Sequence, residues 1–379
     1  MNAWVVKDLL IDHKFPLLGM AAKGNSGVFI GPAFYYILAA FYAITKLHPI
    51  AAGYYAGVMS VVTGILLFFV IRRMFSERVA IIALAVAAVS FKVIFSDRLA
   101  GPVHLLPLVS ALIFYLWYKV LVGNSKLLPV LTAVIGFSFH LHVTAIYYVF
   151  ISLFCFPFIL RQKIPLRIYV LSGLALFVWF IPSIVANIQQ NNMLTTTAGS
   201  FFTTFYHGFH LRRVIQLLPD AFIEYESIIL LGPLSFIRYI MVPIFIVLIW
   251  LREERKKALI IIYLTLLWYF IPWIVLSTFR GEISDYYFVS TRFPTLCIIG
   301  YCIDRIVSTR KWYLIGCVSV LFLWFTCNNI SLFWRSNDKN FIKQQERAKE
   351  YIQSGRRMDF QEGIAESYLY FYYRDFDMQ

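Results

Sequence analysis

Ala51–Phe75 reads AAGYYAGVMSVVTGILLFFVIRRMF: a long run without a charged side chain, closed by Arg72 and Arg73. A helix needs roughly 20 mostly apolar residues to cross the hydrocarbon core of a bilayer, so this stretch reads as a transmembrane helix anchored by basic residues at one end. The same pattern recurs outward from it. Apolar runs occupy Val79–Phe95, Val103–Val122, Leu128–His140, Val143–Leu160, Arg167–Asn187, Gly232–Leu251, Leu259–Leu276, Tyr287–Ile306 and Trp312–Phe325, for a total of about ten expected spans. Leu128–His140 is short, as befits a tilted or protein-buried helix. Of the 379 residues, 60% are hydrophobic and 14% charged, which excludes a soluble globular domain of any size.

The net charge of +14 would suggest nucleic acid in a soluble protein. Here the basic residues gather in short loops between spans: Arg72–Arg78, Lys119–Lys126, Arg161–Arg167, Arg252–Lys257 and Arg305–Lys311. Short loops rich in Lys and Arg stay in the cytoplasm, and alternating spans put all of these on one face. The intervening segments are therefore expected outside: Met1–Pro49, Ser96–Pro102, the His140–His142 turn, Asn187–Leu231, Ser277–Tyr286 and the tail from about Asn328. A full crossing by Phe29–Lys46 would invert this arrangement. With Tyr35, Tyr36 and Tyr42 interleaved, that stretch reads as a juxtamembrane helix in the outer interface. Met1–Asp8 has neither a charged n-region nor an apolar h-region of a signal peptide. An outside N-terminus then implies a first transmembrane helix upstream of Met1.

Candidate chemistry lies on the outer face. Asp97 and Arg98 stand where a span leaves the membrane, with His104 close behind. They are either a solvated cap or part of an interfacial pocket in which Arg98 holds a phosphate and Asp97 meets a sugar hydroxyl or a metal. His140 and His142 form an H-x-H, with a hydrogen-bonded interfacial role or, less specifically, a metal site as its uses. Arg280, Tyr286 and Tyr287 crowd an outer turn, and Arg292 falls inside the following apolar span, where an ionisable group is a functional candidate by default. The loop Asn187–Leu231 is long enough, and aromatic enough, for an ordered lid. The five cysteines lie in or beside spans, with no CxxC and no His at metal spacing, and read as free buried thiols. No Walker motif, GxGxxG or kinase signature supports a soluble nucleotide as direct substrate.

Several stretches in order resemble the GT-C superfamily of multi-pass glycosyltransferases, within the family-39-like group of protein mannosyltransferases, lipid A aminoarabinose transferases and RgtA/B/C/D-like bacterial enzymes. They are Lys7-Asp8 through Phe15-Pro16-Leu17-Leu18-Gly19; Gly27 through Gly31-Pro32 and Tyr35-Tyr36; the span into Arg72-Arg73; Ser96-Asp97-Arg98; His140-Leu141-His142; and Tyr287 through Arg292-Phe293-Pro294. The resemblance implies an all-α polytopic fold, with a transmembrane domain over 1–334 and a short extracytoplasmic tail over 335–379. It implies transfer of a sugar, with inversion, from a polyprenyl-phosphate donor to a lipid, glycan or protein acceptor on the outer face of a bacterial or archaeal plasma membrane. Asp97 and Asp8 are the catalytic candidates it leaves within the chain, since the family's base would lie upstream of Met1. Arg98, His104, His140, His142, Arg280, Tyr286, Tyr287 and Arg292 are the candidates for the lipid phosphate and substrate. A divalent metal stays open as cofactor. A multi-pass transporter or lipid flippase, or a non-catalytic membrane subunit, would share the same hydropathy.

Overall fold

The computed structural model describes residues 2–22, 27–206, 208–229, 236–336, 341–354 and 364–375, and among these the architecture is all helical. The chain begins with α1 (Asn2–Leu10) and an extended return to α2 (Ala33–Ile44). In that return, the Gly19 N–H donates to the Ile30 carbonyl at 2.8 Å and the Ile30 N–H to Met20 at 3.0 Å. The two passes lie so close that a Cβ on Gly19 would stand 2.3 Å from the Gly31 carbonyl oxygen, and one on Gly31 would strike the His140 ring. The spacing of the two glycines in the sequence is thus a packing requirement.

At 12 residues, α2 is about 18 Å long, too short to cross about 30 Å of hydrocarbon. Its first N–H, from Ala33, is received by His140 Nδ1 at 3.1 Å. Its last turn passes through Leu47 directly into α3 (Ala51–Met74), whose far end carries Arg72 and Arg73. Both ends of α2 therefore lie at the end of the bundle away from those arginines, as an interfacial helix requires.

The helix α4 (Glu77–Val89) starts at a Ser76 cap and breaks by 76° into α5 (Phe91–Asp97). A break within the membrane exposes backbone donors that water cannot reach. Asn329, buried on a distant helix, accepts the orphaned Phe91 N–H at 2.7 Å through Oδ1. There follow α6 (Leu106–Val122), α7 (Leu128–Ser138), α8 (Ile146–Leu160), α9 (Leu166–Phe177) and α10 (Ile181–Gln189). Then come α11 (Met193–Phe205), α12 (Leu211–Leu217) and α13 (Ile223–Ile229), and next the long α14 (Ile237–Arg252) and α15 (Arg255–Ser277). A 3-10 segment, Asp285–Thr291, leads into α16 (Arg292–Ser308), which is followed by α17 (Trp312–Arg335), α18 (Phe341–Gln353) and α19 (Ile364–Asp375).

Among the described residues, six helices are individually long and apolar enough to span, or seven with the bent pair α4–α5. The shortfall from about ten has a local cause. α7, α14 and α16 are only 11, 16 and 17 residues long, and α16 reaches further only through the 3-10 turn before it.

Helix α16 is the centre of the bundle: every residue from Tyr287 to Cys302 is buried. A Cβ at Gly300 would meet the Val79 carbonyl oxygen at 2.7 Å, so α4 and α16 touch backbone to backbone. Phe114, Trp268 and Phe293 pack as edge-on aromatic pairs, and Trp268 Nε1 donates to Ser110 Oγ at 2.9 Å, whose hydroxyl donates to the Ser290 carbonyl at 2.6 Å. By contrast, the segment from Leu166 to Gln189 and the helix α17 expose most of their apolar surface, as lipid-facing helices do.

The basic loops meet at one end. Arg78 pairs with Asp304 at 3.2 Å, Arg305 approaches Glu253 at 4.0 Å, and the Gln162 amide donates to the Val120 carbonyl at 3.2 Å. The 187–231 loop is helical where described and is docked rather than free: Arg213 donates to the Gly281 carbonyl at 3.1 Å and Trp273 to Val214 at 2.8 Å. His207 and residues 230–231 of that loop lie outside the described residues, as do 337–340, 355–363 and 376–379 of the tail. The tail packs back onto the start of the chain, with the Tyr368 hydroxyl on the Leu47 carbonyl at 3.1 Å and its ring edge-on to Trp4.

Candidate active site

Between α3, the α4–α5 elbow and the end of α17 lies a cavity of about 1070 Å³. Along α3 it follows Ala52, Gly53, Gly57, Ser60, Gly64 and Leu67, a distance of about 23 Å at 1.5 Å per residue. The small residues create it: a Cβ at Gly53, Gly57 or Gly64 would meet nothing within 4 Å. Its walls are largely apolar; Ser60, Thr63, Asp97, Arg98, Arg292 and Ser336 are its polar lining residues, and Ser60, Asp97 and Arg292 come together partway along it.

Arg292 is the first residue of α16, where the helix dipole disfavours a cation, and it is 5% exposed. Two carboxylates compensate. Nε donates to Glu224 Oε2 at 2.8 Å and Nη1 to Asp97 Oδ1 at 3.3 Å, while the Ser60 hydroxyl donates to Asp97 Oδ2 at 3.4 Å. Two acids and one base leave this cluster one negative charge in excess. The adjacent Arg98 lies at the cavity wall, exposed, its guanidinium 5.6 Å from the Phe333 ring centroid and without a carboxylate partner among the described residues. The site therefore combines a buried arginine held by two carboxylates with a second arginine whose donors are open to a ligand.

The other candidates divide by their partners. His104 sits beside Asp97, its Nδ1 3.4 Å from the Ser96 hydroxyl. His140 is wired on both nitrogens to backbone, receiving the Ala33 N–H and donating from Nε2 to the Trp179 carbonyl at 2.7 Å; burial lowers its pKa, consistent with the neutral ring this pattern needs. Burial pushes His142 down to about 4, and its Nδ1 accepts from the Thr144 hydroxyl at 2.9 Å while its ring faces Tyr286 and Tyr287. His140 and His142 thus serve different neighbourhoods and do not converge on one ligand. Tyr287 is buried in that aromatic cluster; Tyr286 and Arg280 are exposed at its surface. Asp8 is bound to Lys7 at 3.2 Å, and Lys7 also holds Asp12 at 2.9 Å and keeps its carboxyl below the usual range; Asp8 is not among the residues lining the cavity.

Glu224 is the member of this cluster that the sequence least betrayed. It stood as one acid among several at the end of a long loop, and nothing local marks it as the partner of a residue far along the chain. Ser60 was likewise indistinguishable from any small polar residue in a span. Among the described residues, no group of three or more His, Cys, Asp or Glu is arranged to hold a metal ion.

The repeated long apolar helices make this a polytopic membrane protein. Residues 30–185 match the family model of dolichyl-phosphate-mannose-protein mannosyltransferase, a stretch that runs from the entry to α2 through α10 and includes Asp97, Arg98, His104, His140 and His142. Among solved structures, the chain is similar to ArnT from Cupriavidus metallidurans bound to undecaprenyl phosphate, with a TM-score of 0.54, 14% identity and 84% of this chain covered. It is similar to the apo state of the same protein at 13% identity and a TM-score of 0.54. The match takes in 62% and 57% of those two chains, so this chain spans about three fifths of their length. No curated protein matches it.

Proposed function

We propose that the protein is an inverting membrane glycosyltransferase that moves a sugar from a polyprenyl-phosphate donor to an acceptor hydroxyl on the extracytoplasmic face. The observation that carries this reading is a long, largely apolar cavity with, partway along it, an exposed arginine and a buried acid–base cluster. An isoprenoid chain fits the apolar length along α3, and its phosphate fits Arg98, with Arg292 behind it. The similar structure that holds undecaprenyl phosphate supports the same lipid class. The basic loops at the opposite end support an outward-facing site, and the plasma membrane of a bacterium or archaeon is the membrane proposed.

The chemistry is a single displacement. The acceptor hydroxyl attacks the anomeric carbon and loses its proton to a carboxylate, for which Asp97 is the acid at the cavity; the bond from the anomeric carbon to the phosphate oxygen breaks and its electron pair goes to the phosphate. Arg98 and Arg292 take up the charge that develops there. Asp8, the second acid proposed from the sequence, would have to act from outside the cavity lining. A transporter would be expected to show paired helix breaks in two halves, and the one bent pair among the described residues gives this reading less support.

The test is Arg98→Gln in the full chain. Its side chain makes no ion pair among the described residues, so folding should be unchanged, while affinity for polyprenyl phosphate should fall about tenfold or more, the value of a charge-assisted hydrogen bond. Unchanged affinity would remove the phosphate from this part of the cavity.

A further inference from the structure

Adjoining the large cavity at Asp97 lies a second, much smaller pocket of about 10 Å³. Tyr55, Ser60, Thr63, Asp97 and His104 line it, and Ser60, Thr63 and Asp97 line the large cavity as well, so the two spaces meet at the carboxylate. The volume suits a single oxygen-sized group. Ser60 and Asp97 are already bonded to each other and Thr63 donates to the Met59 carbonyl at 2.7 Å. Tyr55 differs. It is 1% exposed, its ring is fixed edge-on between Phe34 and Phe41 of α2 at 5.5 and 5.6 Å, and its hydroxyl is buried with no hydrogen-bond partner.

A buried hydroxyl without a partner is costly, and a phenylalanine would fill the same aromatic slot without that cost. The polar tip is explained if a ligand group completes it. Resting on the glycosyltransferase reading of the adjoining cavity, we infer that Tyr55 is a positioning residue whose hydroxyl, with His104 opposite, seats one hydroxyl of the sugar carried by the donor lipid. The arrangement is consistent in polarity: Tyr55 donates, and the imidazole of His104, whose Nδ1 lies on Ser96, offers its other nitrogen as the second partner. A sugar hydroxyl held there fixes the ring next to Asp97 while the phosphate rests on Arg98 and the prenyl chain runs along α3. Discrimination between sugars would then come from this pocket rather than from the apolar groove.

The experiment compares wild type and Tyr55→Phe in the purified full chain in lipid nanodiscs, titrated with a polyprenyl-phosphate sugar and, separately, with the bare polyprenyl phosphate. The expected result is an affinity for the sugar-bearing lipid about tenfold weaker in the variant, with the bare lipid unaffected and the thermal unfolding midpoint unchanged or raised. A merely structural tyrosine would lower the midpoint and weaken both lipids together, which overturns the assignment. Equal affinities in variant and wild type for both lipids, with a raised KM for the acceptor alone, would overturn it in favour of an acceptor hydroxyl. If the wild type binds neither lipid, the reading of the cavity falls and this assignment with it; if the wild type binds both and the variant is indistinguishable, only Tyr55 falls.

Discussion

The two ends of the bundle carry charge in different ways. At the basic end, the most open pair joins Arg72 to Glu77 at 3.3 Å, with both side chains at least half exposed. Water can replace either partner, so such contacts orient loops and contribute little. At the other end, Arg292, Asp97 and Glu224 are drawn from three distant parts of the chain into a place where water is scarce, and Arg98 stands beside them with donors unspent. Buried charges of this kind are a poor route to stability, because removing them from water costs more than an apolar replacement would. Their presence beside a large cavity fits the charged substrate proposed for it.

Removing a member of each set measures the contrast. Arg292→Met leaves two carboxylates without their cation and should cost about 3–5 kcal/mol, seen as a large drop in thermal unfolding midpoint or in folded yield. Adding Glu224→Gln to that variant should recover part of the loss, since one of the uncompensated charges is gone; no recovery would mean that Arg292 acts by packing. Asn329→Leu should have an intermediate effect, about 1–3 kcal/mol, because it orphans the Phe91 N–H at the elbow. Since α5 carries Asp97 and Arg98, the same variant should also weaken polyprenyl-phosphate binding, and a variant that loses stability with full binding would separate the elbow from the site. Arg72→Ala at the basic end should cost about 1 kcal/mol or less. A loss as large as that of the Arg292 variant would erase the distinction between the two ends.

Much of the outer site was readable as composition in place. Asp97 and Arg98 stood out because an acid and a base closed an apolar run, and Arg292 because a cation inside a span needs a reason. The histidines show the limit of that reasoning. His140, read as a substrate candidate or as a hydrogen-bonded interfacial residue, acts as a backbone clamp whose two nitrogens hold α2 to the turn before α10, with partners, Ala33 and Trp179, that lie far from it in the chain. The elbow at Ser90 was also hard to see: Val79–Phe95 reads as one span, without proline or glycine, and the side chains of Asn329 and of Ser90 itself make a bend there tolerable by accepting the Phe91 and Val93 N–H groups.

By itself the sequence determined that this chain lives in a membrane and which loops carry the basic residues. Those properties follow from hydropathy and charge summed over neighbouring residues, and neighbours in sequence share a helix. Only the tertiary structure decided that Glu224 is the partner of Arg292, that small residues on α3 open a cavity rather than a tight helix contact, and that Tyr55 lies beside Asp97 with its hydroxyl unsatisfied. Pairing between residues far apart in the chain depends on how helices cross, and crossing is set by three-dimensional packing that no local window of residues contains.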